Sequence, residues 1–489
     1  MTSTPGAVRL EDLLDRRSRR LRTLVVGLSV GSSLGLAVFA LTRFFPAQPY
    51  GLADDFRVFY SAARMLAQGR NPYQLGPLQA VEQAVAHYPS LQPALDRFPY
   101  LPITAAILEP LTKLPFWVAY SVFTGLGVAL LLFTLALLAR DLGWSRTFVL
   151  GLAVLVSWIA LLGFTAGQFD ALMFAVLAGA MLLAWHDRPL LAGLVLGLIW
   201  VKPDLLWPAP IFMFLALFER PRKAVWFAGG CLLTSALCLS VSPHLLNSWE
   251  HALHSFARGV GGLQPDLAGL PGLLGAAPRE LHLGTGVLAP GSLVVMAAAA
   301  LAMGIFGAWM MLSPDWHRVS PVGRISWGVG LPLAIWLAAT PYAHPNDDLL
   351  LLPLFMLTVG RNARRVHGLG LGLAILVILW ILLIWPAGVV PWVVGLAVLA
   401  VVCVGLWRRR TDVRLTGFGA GLCLLALAML PAVWPFHLLR VGLTPVAVIL
   451  LVVEGARTCW MEVGGAGTGP AYFPDHQLEP AVAPSASGG

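Results

Sequence analysis

Between Leu24 and Glu454 the sequence is a succession of apolar runs cut by short loops, and this pattern constrains the fold more than any single motif. About 20 apolar residues carry a helix across the hydrocarbon core of a bilayer. Runs occur at 24–45, 116–139, 147–164, 170–185, 190–201, 205–218, 224–242, 287–312, 327–340, 349–360, 368–385, 391–407, 415–434 and 441–454. Those at 190–201, 205–218 and 349–360 are short. They either extend through polar flanks or form broken helices beside a cavity, where irregular backbone is tolerated. Only 11% of the residues are charged, against about a quarter in soluble domains. The expected fold class is an all-α polytopic membrane protein with about 11 to 14 transmembrane helices.

The basic residues set the orientation. With the N-terminus in the cytoplasm, about 22 of the 32 Lys and Arg residues fall in inside segments, although the outside segments are longer in total. The net charge of +8 is then a topology signal and not a nucleic-acid footprint, and no nucleic-acid partner is expected. The run at 24–45 follows a cluster of arginines from Arg16 to Arg22. It is too long for a signal-peptide core and lacks a small-residue cleavage site, so it reads as a retained first span. The chain divides into an N-terminal arm (1–23), a core (24–355) with outer loops 46–115 and 242–286, C-terminal helices (356–460), and a disordered tail (461–489) rich in Gly, Pro, Ala and Ser. The five cysteines show no CxxC or His spacing and read as small buried hydrophobes.

On this topology the unusual loops share the outer side. The first begins with the adjacent carboxylates Asp54 and Asp55, followed by an amphipathic helix that Gly69 and Pro72 stop. Phe56, Phe59, Tyr60, Ala63, Leu66 and Ala67 form its apolar stripe, with Arg57, Ser61, Arg64 and Gln68 opposite, so it is expected to lie in the membrane interface. A second interfacial helix is expected after Ser242, with Leu246, Trp249, Leu253, Phe256 and Val260 on its apolar side. Gln168 with Asp170, Lys202 with Asp204, and His344 with Asp347 and Asp348 complete the outer face. Ionisable groups at membrane ends are costly unless they face water or one another, so their convergence suggests a cavity for a polar, anionic substrate.

Each of these residues has two readings. Asp55 stands where a helix N-cap accepts a backbone N–H, or where a carboxylate acts as general base. Lys202 interrupts an apolar run before Pro203 as a snorkelling anchor or as a phosphate ligand. His344 is a loop histidine, or one that Asp347 and Asp348 hold protonated against a phosphate. His251 and His254 have i,i+3 spacing but no clear third metal ligand.

The run Asp55-Phe-Arg-Val-Phe-Tyr-Ser-Ala-Ala, with Gly69 and Asn71-Pro-Tyr73, resembles the first outer loop of the family-87 glycosyltransferases. Tyr100-Leu-Pro102, Pro110-Leu, Leu114-Pro115, Gly167-Gln168, Lys202-Pro203 and Thr340-Pro-Tyr with Asp348-Leu look like further family positions, over roughly 50–355. That family consists of polyprenol-phosphate-mannose-dependent mannosyltransferases with the C-type multispanning fold. The resemblance implies an inverting hexose transfer, with mannose as the expected sugar, at the outer face of a bacterial plasma membrane. The donor would be a polyprenol-phosphate sugar and the acceptor a glycolipid or glycan. It implies Asp55, with Asp54 as second candidate, as the catalytic base, and Lys202 and His344 near the donor phosphate. Arg57, Tyr60, Gln168, Asp170, Asp204, Asp347 and Asp348 would line the pocket. Asp170 stands where many members carry Asn, and Asp347 and Asp348 compete for one acidic position. The scheme requires no metal or other cofactor. The rival readings are a flippase or transporter of a lipid-linked saccharide, and a C-type polymerase or ligase using a diphosphate-linked donor.

Overall fold

The computed structural model describes residues 53–86, 97–142, 163–164, 166–260, 270, 288–340, 343–354 and 356–357, with positions 452, 456, 459, 460 and 463. The N-terminal arm, the tail, and all or nearly all of the expected spans at 24–45, 147–164 and beyond 368 lie outside the described residues. The described residues are helical and contain no strand.

Three short helices come first: α1 (Asp54–Ala67), α2 (Leu75–Ala86) and α3 (Pro102–Leu108), the last continued by a 3-10 turn at Glu109–Lys113. The bundle follows with α4 (Phe116–Asp141), α5 (Asp170–Trp185), α6 (Pro189–Leu196), α7 (Pro203–Leu206), α8 (Pro208–Leu217), α9 (Pro221–Ser240), α10 (Leu246–Val260), α11 (Leu288–Leu312) and α12 (Pro321–Ala339). A 3-10 turn at Pro345–Leu351 comes after it. Among the described residues, α4, α9, the 293–312 part of α11 and α12 are long and apolar enough to cross a membrane.

Burial ranks these helices. The apolar window of α12 is 83% buried, against 28% for α9 and 22% for α11. Helix α12 is therefore the bundle's core, while Leu232, Leu233 and Leu237 of α9 and Leu293, Leu301 and Leu312 of α11 stand exposed, as lipid-facing side chains do. Lipid tails give helices no hydrophobic reason to associate, so close packing has to hold them together. Small residues supply it between α6 and α9. A Cβ on Gly193 would collide with the Phe227 carbonyl, and one on Gly197 would come within 2.6 Å of the Thr234 Cβ.

Helix α12 starts before the expected 327–340, at Pro321, with the Ser320 hydroxyl capping the Gly323 N–H at 3.2 Å. Arg324 marks that stretch as a loop in the sequence, but in the structure it is buried and paired with Glu219 just beyond α8. The two short runs at 190–201 and 205–218 prove to be broken helices. Helix α6 tightens into a 3-10 turn at Gly197–Val201, Lys202 is non-helical, and Pro203 and Pro208 each open a new helix. The freed backbone groups are accounted for. The Val201 carbonyl accepts from Thr104 Oγ1 at 2.9 Å, and the Asp204 carbonyl from Trp336 Nε1 at 2.8 Å.

The interfacial reading of α1 is corrected. Its apolar stripe packs inward, but Arg57 and Ser61 on the other side are buried too. Phe56 meets Phe116, Tyr120 and Phe123 of α4, Phe59 meets Tyr100 and Phe169, and Arg57 pairs with Glu82 of α2 at 3.5 Å. Through Ala63 helix α1 is enclosed on both faces, which Arg57 hides at the sequence level because its partner Glu82 lies on α2, whereas Arg64 and Gln68 are exposed as expected. In helix α10 Glu250, His251 and His254 are exposed as expected and Leu246 and Trp249 are partly covered, but Leu253 of the expected apolar side is exposed as well.

Candidate active site

Helix α1 begins at Ala53, whose backbone adopts the left-handed conformation (φ 61°, ψ 30°), and no side chain caps it. The capping role considered for Asp55 is therefore absent. Its carboxylate turns instead to the loop before α5, where Oδ2 accepts a hydrogen bond from Gln168 Nε2 at 2.8 Å. A tight turn places that amide: the N–H groups of Gly167 and Gln168 both bond to the Gly163 carbonyl, at 2.8 and 2.7 Å. Gly167 has φ +80°, and a Cβ there would run into the Cβ of Phe56, so only glycine fits between α1 and the turn.

The other face of Gln168 looks at Lys202. The ammonium sits at the break between α6 and α7, is 3% exposed, and has three protein acceptors: Asp170 Oδ1 at 2.9 Å, Asp347 Oδ1 at 2.8 Å and Gln168 Oε1 at 3.3 Å. Asp347 uses its second oxygen to accept the His344 backbone N–H at 2.7 Å, and the His344 ring in turn accepts the Asp347 backbone N–H. One network thus joins Asp55, Gln168, Lys202, Asp170, Asp347 and His344, gathered from the start of α1, the start of α5, the α6–α7 break and the Pro345–Leu351 turn. Asp348 lies in that same turn.

Burial and an excess of carboxylates shape the electrostatics. Burial pushes Asp55 up to about 6; the Gln168 bond opposes it, the Asp54 charge adds to it, and Lys202 pulls down. Burial also pushes Asp347 well up, with Lys202 opposing, since one ammonium cannot neutralise both of its carboxylate partners. Of the two readings of His344, the protonated one is not supported. Burial, aided by Lys202, lowers it to about 4, and the ring nitrogen that accepts a backbone N–H carries no proton.

Three expected residues point elsewhere. Asp54, more exposed, pairs with Arg57 at 3.1 Å, and Arg57 reaches on to the buried Glu82. The Tyr60 hydroxyl donates to the Leu114 carbonyl at 2.7 Å, tying α1 to the loop before α4. Tyr100 was missed as a site residue. Asp55, Lys202, Asp204 and Asp347 all act on its phenol, which burial pushes above its ordinary value. Its only sequence signal was a place in the Tyr100-Leu-Pro102 motif. Glu82 had a clearer one, falling at helical spacing on the apolar face with Leu78 and Val85.

The family model for glycosyltransferase family 87 matches residues 98–340. Tyr100, Gln168, Asp170, Lys202 and Asp204 lie within the match, His344 and Asp347 lie just beyond its end, and Asp55 lies well before its start. No curated protein and no solved structure matches the chain.

Proposed function

Because this chain belongs to glycosyltransferase family 87, we propose that it moves a hexose, mannose before others, from a polyprenol-phosphate sugar to a glycolipid or glycan acceptor, with inversion and on the outer side of the bacterial plasma membrane. The observation that carries the proposal is the state of Asp55: a helix-end carboxylate spent on no cap, oriented by Gln168 at 2.8 Å and pushed up to about 6. A base works best with a pKa near the operating pH.

In the step proposed, Asp55 takes the proton of an acceptor hydroxyl as that oxygen bonds to the anomeric carbon. The bond from that carbon to the phosphate oxygen breaks through an oxocarbenium-like state, and its electron pair leaves on the polyprenol phosphate. Inversion needs this one base, because the phosphate leaves as a stable anion. Lys202 is the proposed cation for it, as charge developing at a buried site calls for a fixed counter-charge. To reach the phosphate, Lys202 has to give up one of its carboxylates, and the raised affinity of Asp347 for a proton supports Asp347 as the one released. His344 fits this scheme as a neutral ring and not as a second cation.

The test is transfer from radiolabelled polyprenol-phosphate-mannose by the purified full-length protein in native membrane lipids. Turnover in the wild type, abolished in Asp55→Asn with donor binding retained, supports the proposal. Full turnover in that variant removes Asp55 as the base.

A further inference from the structure

A cavity of about 560 Å³ lies between the first loop and α10. Its size is within the ordinary range of small-molecule sites. The polar side chains on its wall are mostly amides and hydroxyls: Asn71, Gln74, Asn247, Ser248 and Ser255. Arg97 and His251 join them, and among the described residues no carboxylate does. Tyr73 and Phe98 form an aromatic corner, with ring centroids 5.6 Å apart. Helix α10 is pinned across the opening by three bonds: Asn71 Nδ2 to Ser248 Oγ at 3.1 Å, Trp249 Nε1 to the Pro99 carbonyl at 3.0 Å, and Arg97 to Ser255.

We infer that this cavity is a saccharide-binding site that holds the glycan part of the acceptor, an assignment that rests on the transferase reading above. Side-chain amides and hydroxyls both donate and accept, as a ring of sugar hydroxyls requires. Aromatic faces suit the apolar face of a pyranose. The donor phosphate belongs with Lys202, in the network on Asp55 and Gln168. The cavity also connects to the base. The Tyr73 hydroxyl bonds to the Tyr100 carbonyl at 2.8 Å, and the Phe98 and Tyr100 rings lie 5.9 Å apart. Phe98 is buried behind Tyr73, so a saccharide would sit on the partly exposed Tyr73, whose hydroxyl bond to Tyr100 links it to the Asp55 network.

The test uses the full-length protein in nanodiscs, with Gln74→Ala, an exposed side chain, and Ser248→Trp, which fills the cavity. Saturation-transfer NMR reads binding of mannobiose. Turnover with labelled polyprenol-phosphate-mannose reads the concentration of membrane glycolipid extract giving half-maximal rate. The expected result is mannobiose binding that Ser248→Trp removes, and a half-saturating extract concentration raised about tenfold or more. Donor affinity stays unchanged. Unaltered half-saturation in both variants, or lost donor affinity in place of acceptor affinity, overturns the assignment. Should the wild type transfer nothing, the transferase reading fails by itself. The cavity is then judged on mannobiose alone: binding abolished by Ser248→Trp upholds a saccharide site, and no binding to the wild type overturns it. Should Ser248→Trp fail to fold, Gln74→Ala decides by the same two readings.

Discussion

Gln168 donates its side-chain N–H to Asp55 Oδ2 at 2.8 Å while its carbonyl oxygen faces the Lys202 ammonium at 3.3 Å. The amide is thereby fixed in one orientation, since turning it over would set its N–H against the ammonium and its oxygen against the carboxylate. Gln168 is a positioning residue for Asp55 that also lowers its proton affinity. Replacing it by leucine removes a hydrogen bond to a charged group, worth about 1.5–3 kcal/mol, so turnover should fall roughly 10- to 100-fold. The acid limb of the rate profile should move to higher pH in Gln168→Leu. A limb that stays in place would reduce Gln168 to a packing role.

Asp55 must be ionised to take a proton, so its form below about 6 is inactive. The rate kcat/KM should be level above that value and fall about tenfold for each pH unit below it. A pH titration of initial rates with labelled donor measures this directly. A limb near 4 would assign the base to a carboxyl in an ordinary aqueous setting.

The same shift bears on stability. Asp55 binds its proton more tightly folded, at about 6, than at its ordinary value of 3.8. Its contribution to stability is thus greatest at low pH and is lost as pH rises through about 6. At neutral pH the ionised carboxylate costs the fold roughly 2–3 kcal/mol, at about 1.4 kcal/mol for each tenfold change in proton affinity. Asp55→Asn keeps an acceptor for Gln168 without that charge, and should raise Tm by a few degrees while ending turnover. A lowered Tm would make Asp55 a structural carboxylate.

Much of this fold was legible because an apolar run states its own partner, the bilayer. The expected limits of α4 and α5 match the observed helices closely, and α12 was misread at one end only because Arg324 finds Glu219 across the bundle. The site was legible by residue type and not by pairing. Asp55, Gln168, Asp170, Lys202 and Asp347 stood out as polar groups at apolar ends, and the structure joins all five. The sequence could not show that Ala53 would start α1, that Arg57 would face Glu82, or that the His344 ring would accept a backbone N–H. Each of these depends on where a second segment packs, which no local spacing records.

Gly167 is the narrowest point of that packing. Alanine there would hold a left-handed backbone at a cost of about 1–2 kcal/mol, and its Cβ would also meet Phe56. The obstructing atom is the Cβ of Phe56 itself, so shortening that ring with Phe56→Ala does not relieve it. Gly167→Ala should lose turnover and thermal stability together, and the Phe56→Ala background should not restore either. Recovery in the double variant would place the conflict in the ring.

Lys202 sets a harder problem, because its expected ligand role and its observed structural role predict the same loss. It is the shared counter-ion of Asp170 and Asp347, which are 3% and 0% exposed. Removing one partner from such a group costs about 3–5 kcal/mol, since the carboxylates are left without compensation. Lys202→Met should therefore lower Tm sharply and lose activity whether or not the ammonium meets a phosphate. Combining it with Asp170→Asn and Asp347→Asn removes all three charges at once, and the triple variant should regain most of the lost stability. Binding of labelled polyprenol-phosphate-mannose to that variant then separates the two roles. A folded protein with donor affinity reduced at least about tenfold is expected from a lost phosphate contact. Affinity equal to the wild type would leave Lys202 as a counter-ion and move the search for the phosphate site elsewhere in the protein.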